Sequence, residues 1–249
     1  MFGGLARYVP PVSSMFDGLA SLEDFKAQGD EFLKIFQDVC GLQPDEAILD
    51  VGCGIGRKTL PLTQYLGAQG RYEGIDITRA GIEWCQEKIT PDYPNFHFQH
   101  IDVLNQLYNP QGRILPGDYQ FPFEDESFDF VTLGSVFTHM FAPELTNYLA
   151  QVNRVLKRGG RCQITYFLLN DESLRLVATG RSTIDFKFAY DVYRIASQES
   201  PEGAVAYNEQ WIRDLYSSTG LQIRRLDYGS WCGRERYLSY QDLILAIKE

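Results

Sequence analysis

The chain has no strongly basic stretch, no long apolar run and no internal repeat. Its 249 residues include 23 Lys and Arg against 33 Asp and Glu, a formal net charge of -10. Phosphate backbones and anionic lipids repel such a surface, so we expect neither a nucleic-acid partner nor membrane association. No apolar stretch approaches the roughly 20 residues of a membrane-spanning helix, and the Pro-containing residues 1–20 do not resemble a signal peptide. The sequence therefore predicts a cytoplasmic protein.

Cysteine pairs are also lacking. The five cysteines are widely spaced and no CxxC occurs, which favours reduced thiols over disulfides or a zinc site. They are Cys40, Cys53, Cys85, Cys162 and Cys232. We expect no metal centre at these residues.

Short apolar runs alternate with amphipathic segments, which predicts an α/β fold with a doubly wound, mostly parallel sheet. The predicted strands are Ala47–Val51, Tyr72–Ile77, Asn95–Ile101, Phe128–Gly134, Arg161–Leu169, Leu221–Tyr228 and Asp242–Ile247. The predicted helices run from Ser21 to near Gly41, from Arg57 to Leu66, from Ala80 to Ile89, from Pro143 to Leu156 before Gly159 and Gly160, and from Ile212 to Ser218. Only a loop joins the last two strands, so they should pair antiparallel.

The domain boundaries follow from these elements. Residues 1–44 are predicted to form an N-terminal arm and helix, and residues 45–249 the α/β domain. Residues 169–207 are rich in Tyr, Phe and Arg and interrupt the alternation. A long connection of this kind is usually functional, and we interpret it as a cap over a substrate site.

A glycine-rich turn follows the first predicted strand. Gly52 permits a tight turn, Gly54 lets a ligand approach the main chain, and Gly56 opens the next helix. The dinucleotide fingerprint is G-x-G-x-x-G, whereas the third glycine here comes one residue early and Arg57 holds the last position. The spacing argues against an NAD-dependent oxidoreductase, which would also end its sheet in a parallel strand.

Three segments resemble motifs of the class I S-adenosylmethionine-dependent methyltransferases. Ile48–Arg57 (ILDVGCGIGR) resembles the first motif, Phe121–Met140 the fourth, and Val152–Gly160 the turn before the fifth strand. The resemblance covers about residues 45–170. It implies a Rossmann-like, seven-stranded sheet with an antiparallel last strand, an N-terminal helical arm, a cap insert, and S-adenosylmethionine as cofactor.

The resemblance also implies a set of cofactor contacts. Asp76 would bind the ribose hydroxyls with Ile77 beside the adenine, and Asp102 would accept from the adenine amino group or, alternatively, cap a following helix. Asp50 would either order the glycine loop or contact the amino group of the methionine part of S-adenosylmethionine. Arg57 pairs with the methionine carboxylate or with a neighbouring acid. The full set is Asp50, Gly52, Cys53, Gly54, Gly56, Arg57, Asp76, Ile77, Ile101, Asp102, Val103 and Ser135.

Residues after the fourth strand bear on catalysis. Ser135 contacts cofactor or substrate, or only shapes the turn. His139 is a candidate general base, since histidine titrates near neutral pH; the alternative is a histidine that shapes the pocket. Asn170 and Asp171 reverse the order of the metal pair in catechol-type methyltransferases, and the fourth strand lacks that group's acid, so no metal site is expected.

The sequence says least about the methyl acceptor. The Asn/Asp-Pro-Pro-aromatic signature of nucleic-acid amine methyltransferases is absent. We therefore expect methylation of a hydroxyl or nitrogen on a small-molecule metabolite or natural product of secondary metabolism, by a monomer or homodimer. Alternatives are C-methylation of a quinone- or sterol-like substrate, a non-catalytic S-adenosylmethionine-binding protein, and a protein or RNA methyltransferase.

Overall fold

The computed structural model describes residues 6–11 and 21–249 and divides into two compact units, Met1–Ile101 and Asp102–Glu249. The rest of the predicted irregular arm over residues 1–20 lies outside the described residues. Within the described ranges, no helix has the length and apolar character needed to cross a membrane.

The long strands confirm the predicted mostly parallel sheet. They are β1 (Ala47–Val51), β2 (Arg71–Asp76), β3 (Phe96–His100), β4 (Phe128–Leu133), β5 (Leu156–Tyr166), β10 (Leu221–Asp227) and β11 (Asp242–Lys248), numbered with four short strands given below. Their order in the sheet is β10-β11-β5-β4-β1-β2-β3. β11 runs antiparallel to both of its neighbours, β10 and β5, as expected for the last strand.

The first unit places its strand ends by parallel pairing. Asp50 in β1 lies opposite Gly74 in β2, and Asp76 at the end of β2 lies opposite His100 in β3. Both pairings are parallel, so Asp50 and Asp76 come out at the same edge. The helices of this unit are α1 (Leu22–Asp38), α2 (Thr59–Leu62) and α3 (Arg79–Lys88). Ser21 caps α1 by accepting a hydrogen bond from the Asp24 amide at 3.0 Å, as predicted.

The predicted helix from Arg57 to Leu66 is too long, since α2 covers only four residues. Pro61 has no N–H with which to bond the Arg57 carbonyl. A Cβ added at Gly29 of α1 would stand 2.7 Å from that same carbonyl oxygen. After Leu62 the Gln64 and Tyr65 amides bond to carbonyls three residues back, which ends the regular helix, and α1 packs closely against the Arg57 carbonyl.

The second unit contains α4 (Ala142–Val155), α5 (Asp171–Ala178) and α6 (Glu209–Ser218). The sequence predicted that Gly159 and Gly160 end α4, which is wrong. β5 begins directly at Leu156, and the pairing with β4 shifts between Leu156 and Arg161. Gly159 has a φ of 75°, so these glycines make a bulge inside the strand.

The segment interpreted as a cap has its own secondary structure. It contains α5 and a small sheet of the order β6-β9-β8-β7, made of Leu168–Leu169, Val205–Asn208, Tyr193–Ile195 and Phe188–Ala189. Its apolar side chains pack on Trp231 and Cys232, from the loop between β10 and β11. This core cluster comprises Phe167, Leu169, Phe186, Ala206, Trp231 and Cys232. The insert is thus an ordered part of the second unit.

Candidate cofactor loop and candidate base

The glycine loop after β1 is held in a conformation that only glycine adopts easily. Gly52, Gly54 and Gly56 have φ values of 77°, 59° and 89°. Gly56 is enclosed, because an added Cβ would lie 3.0 Å from the Cys85 sulfur. Around an added Cβ at Gly54, by contrast, no atom lies within 4 Å. Gly54 is therefore the point of the loop that a ligand can approach.

Asp50 is a fully buried acid beneath this loop. Its Oδ1 lies 2.7 Å from the Lys58 ammonium, and its Oδ2 accepts a hydrogen bond from the Tyr72 hydroxyl at 2.7 Å. Lys58 also donates to the Gly52 carbonyl at 3.2 Å. Burial raises the pKa of Asp50, and the Lys58 ammonium opposes that rise. These contacts are the ones expected of the loop-ordering alternative predicted for Asp50.

Asp76 closes the loop from the end of β2. Its Oδ2 accepts from the Gly54 amide at 2.7 Å, and its Oδ1 accepts from the amide and hydroxyl of Thr78 at 2.7 Å and 2.5 Å. A carboxylate has about four acceptor positions. Three of them are used by these bonds, and the remaining one is on the oxygen that already holds Gly54.

Cys53 and Arg57 have other surroundings than the motif suggests. The Cys53 side chain is buried, and a Cβ added at Gly74 would come 2.9 Å from its sulfur. Its amide donates to Ile75 and its carbonyl accepts from Gly56, so Cys53 has a packing role. Arg57 donates to the Gln28 side chain of α1 at 2.8 Å.

The remaining predicted cofactor residues follow β2 and β3. The Ile77 carbonyl lies 3.2 Å from His100 Nε2, and Ile101 is buried with its amide donating to Asp76. In the second unit, Val103 is buried and Asp102 is ion-paired with the exposed Arg113. The next helical turn begins only at Pro116, so the alternative prediction that Asp102 caps a following helix is wrong.

Ser135 sits in a strained turn at the end of β4, with a φ of 60° that is unusual for a residue with a Cβ. Its amide donates to the Thr165 hydroxyl at 2.8 Å, and its hydroxyl donates to Gln241 Oε1 at 3.0 Å. Thr165 also donates to Gln241 Oε1, at 2.6 Å. Two other segments of the second unit, at Thr165 and at Gln241, hold this strained turn in place.

His139 ends a short 3-10 turn, Phe137–His139, and is largely buried. Its Nδ1 lies 2.8 Å from the Glu202 carbonyl oxygen, and the ring of Tyr108 packs against it edge to face at 5.4 Å. Burial lowers the pKa of His139, and the bond to the Glu202 carbonyl partly opposes this. A carbonyl can only accept, so Nδ1 carries the proton and Nε2 of the neutral ring can accept one.

Sequence reasoning missed Lys58, Tyr72, Gln241 and Glu202. Lys58 carried a weak signal, since a lysine six residues after a loop glycine can reach back to it. The other three act across gaps of 22 to 106 residues, which no local pattern encodes. Among the residues that the structure describes, no group of three or more His, Cys, Asp or Glu side chains could hold a metal ion.

The sheet order, the antiparallel β11 and the left-handed glycine loop define the Rossmann-like fold of class I S-adenosylmethionine-dependent methyltransferases. Residues 48–160 match the family model described as a methyltransferase domain. The resemblance inferred from the motifs is thereby confirmed.

The proteins to which this chain is similar include several methyltransferases. A demethylmenaquinone methyltransferase of Staphylococcus haemolyticus is 32% identical over 149 residues, 60% of this chain and 54% of the relative. The chain thus spans about half the length of the curated relatives it matches. A methyltransferase structure from Methanosarcina mazei is 23% identical, with a TM-score of 0.55 over 83% of this chain and 94% of the other. Magnesium protoporphyrin IX methyltransferase of Synechocystis with bound S-adenosylhomocysteine is 18% identical, with a TM-score of 0.57 over 94% and 90%.

Proposed function

We propose that the chain binds S-adenosylmethionine at the glycine loop and transfers its methyl group to a small molecule. The observation that carries the proposal is Gly54, which is left-handed, open to a ligand and fixed by Asp76. The acceptor position that remains on Asp76 suits a ribose hydroxyl donor.

Some of the predicted cofactor residues have an arrangement that fits S-adenosylmethionine, and the contacts of the others remain predictions. Gly52, Gly54, Asp76, Ile77 and Ile101 form one continuous part of the first unit. Contacts from Asp102, Val103 and Ser135 remain predictions from the motif resemblance. Asp50, Cys53, Gly56 and Arg57 would support the loop rather than touch the ligand, because each already has partners or neighbours within the protein.

S-adenosylmethionine supplies an activated methyl group that is displaced in line from a sulfonium, which leaves as a neutral thioether. The protein must therefore align the acceptor and take up a proton from it. His139 is suited to the second task, since its lowered pKa keeps the ring neutral at pH 7 and its proton on Nδ1 leaves Nε2 as acceptor. As the acceptor's electron pair forms a bond to the methyl carbon, the acceptor proton passes to Nε2.

The acceptor that this arrangement suits best is a hydroxyl or nitrogen that loses a proton. A second candidate is carbon methylation of a quinol, favoured by the 32% identity to a demethylmenaquinone methyltransferase. Both use the same base, because removing a ring hydroxyl proton also makes the neighbouring ring carbon nucleophilic. After transfer, the methylated carbon releases its own hydrogen as a proton to solvent, and the ring becomes aromatic again. The insert over residues 169–207 would select the acceptor.

The test is a methyl-transfer screen with labelled S-adenosylmethionine and three acceptor classes: phenols, amines and a naphthoquinol. The position of the added methyl group, read by mass spectrometry and NMR, separates oxygen, nitrogen and carbon transfer. His139→Gln should lower kcat by about 10²-fold or more, the range of general-base catalysis, with cofactor affinity unchanged. His97→Gln, at a half-exposed histidine paired with Glu73, is the matched control. Full kcat in His139→Gln would contradict the role of the base.

A further inference from the structure

His139 is connected to two distant segments of the second unit by a closed set of hydrogen bonds. The first connection is to the short turn Pro201–Gly203, through the 2.8 Å bond between His139 Nδ1 and the Glu202 carbonyl. This bond decides which ring nitrogen carries the proton. Whatever fixes the Glu202 carbonyl therefore also fixes the nitrogen that can act as a base.

The Glu202 carboxylate anchors that turn. Its Oε2 accepts a hydrogen bond from the Gln106 amide at 2.5 Å. Gln106 and Glu202 are 96 residues apart in the chain. A main-chain donor on a carboxylate makes a strong attachment, because charge-assisted hydrogen bonds are about twice as strong as neutral ones.

The loop around Gln106 returns to His139. Asn105 Oδ1 accepts from the amides of Leu107 and Tyr108 at 3.1 Å and 2.9 Å, which shapes the loop. Asn105 Nδ2 donates to the His139 carbonyl at 3.3 Å, and the Tyr108 ring packs on the imidazole. The connections thus form a circuit that holds the imidazole on two sides.

We propose that Glu202 is the positioning residue for His139. The Glu202 carboxylate fixes the Pro201–Gly203 turn, so that the Glu202 carbonyl keeps the imidazole proton of His139 on Nδ1. Glu202 touches no reacting atom and acts only through the imidazole. The catalytic consequence rests on the proposed function, whereas the effect on the tautomer does not.

The test compares Glu202→Ala and Glu202→Gln with Glu199→Ala, a control at an exposed glutamate three residues away. Two-bond ¹H–¹⁵N correlation spectra report which nitrogen of a neutral imidazole is protonated. The chain has only three histidines, so a spectrum of His139→Gln assigns the signal. Far-UV circular dichroism establishes that each variant is folded.

We expect His139 to be protonated on Nδ1 in the wild type and in Glu199→Ala. Glu202→Ala should lose the exclusive Nδ1 form, and Glu202→Gln, which keeps an acceptor oxygen, should largely retain it. An unchanged tautomer in folded Glu202→Ala, or an Nε2-protonated wild type, would overturn the proposal.

Measurements of kcat distinguish the positioning role of Glu202 from the proposed role of His139 as the base. Glu202→Ala should lower kcat about tenfold, part of the 10² or more attributed to a general base, with little change in the KM for S-adenosylmethionine. An altered tautomer with unchanged kcat would confirm the positioning and refute His139 as the base.

Discussion

The glycine loop after β1 and the loop that leads into β11 both surround a fully buried aspartate, but they stabilise it differently. Asp50 faces one ammonium group, from Lys58, only eight residues along the chain. Asp242 accepts from the Leu168 and Gly229 amides, the Trp231 indole and the Arg234 guanidinium. The first arrangement is local and depends on one charge pair, whereas the second joins segments as much as 74 residues apart.

This difference has an energetic meaning. Each aspartate has one cation, but Asp50 has only the Tyr72 hydroxyl besides it, so its carboxylate depends more strongly on the Lys58 ammonium to offset its desolvation. A carboxylate with four donors distributes the compensation, and loss of any one donor is less damaging. The loop that we propose binds cofactor is thus the more vulnerable of the two to a single substitution.

The largest expected effect is at Lys58. Lys58→Met should lower the free energy of unfolding by about 3–5 kcal/mol, because it leaves the Asp50 carboxylate buried without its cation. The double variant Asp50→Asn/Lys58→Met should recover much of this loss. Urea unfolding measures both.

The control for Lys58 is Lys88→Met, which breaks an exposed pair with Glu87 and should change stability by less than about 1 kcal/mol. Equal losses in Lys58→Met and in the double variant would show that the Asp50 charge is not what Lys58 compensates.

The second effect is the pH dependence contributed by Asp242. Burial raises its pKa from 3.8 to about 6, so the folded protein holds this proton more tightly than the unfolded chain. The resulting stability is present below pH 4 and is lost as the pH rises through 6. At about 1.4 kcal/mol per pH unit the loss is about 3 kcal/mol.

Asp242→Asn removes the titration and serves as the comparison. Urea unfolding from pH 4 to pH 7.5 should show the wild type losing about 3 kcal/mol relative to this variant, with the difference constant above pH 7. A difference that does not vary with pH would mean that Asp242 is ionised throughout.

Of the two regions compared, the glycine loop after β1 was predicted well from the sequence. β1 was predicted to the residue, and the glycine turn was recognised, because the apolar run and the glycines are contiguous. α2 was overestimated because the turns after Leu62 bond three residues back, which the apolar spacing does not reveal, and the β5 bulge was mistaken for a helix end. The Asp242 and Glu202 contacts could not be predicted, since both depend on tertiary pairing of segments far apart in sequence.

A smaller effect is expected from alanine substitutions at Gly54 and Gly41, which distinguish backbone strain from ligand contact at the glycine loop after β1. Gly54→Ala and Gly41→Ala both place a Cβ on a residue with φ near 60°, and in both cases the Cβ meets no atom within 4 Å. Each should lose about 1–2 kcal/mol of stability from backbone strain. Only Gly54→Ala should also weaken S-adenosylmethionine binding, by about tenfold or more in a calorimetric titration.

Equal cofactor affinity in the two glycine variants would mean that no ligand approaches Gly54. Unequal stability would mean that the loop around Gly54 carries constraints other than its φ angle. Thermal unfolding of the same samples supplies the stability values.

The most direct test of cofactor binding is calorimetric titration with S-adenosylmethionine, S-adenosylhomocysteine and NAD. We expect the wild type to bind the first two, Asp76→Ala to lose at least about tenfold in affinity, and Glu73→Ala, a control in the same strand, to bind as the wild type does. Binding of NAD in place of S-adenosylmethionine, or full affinity in Asp76→Ala, would contradict the account.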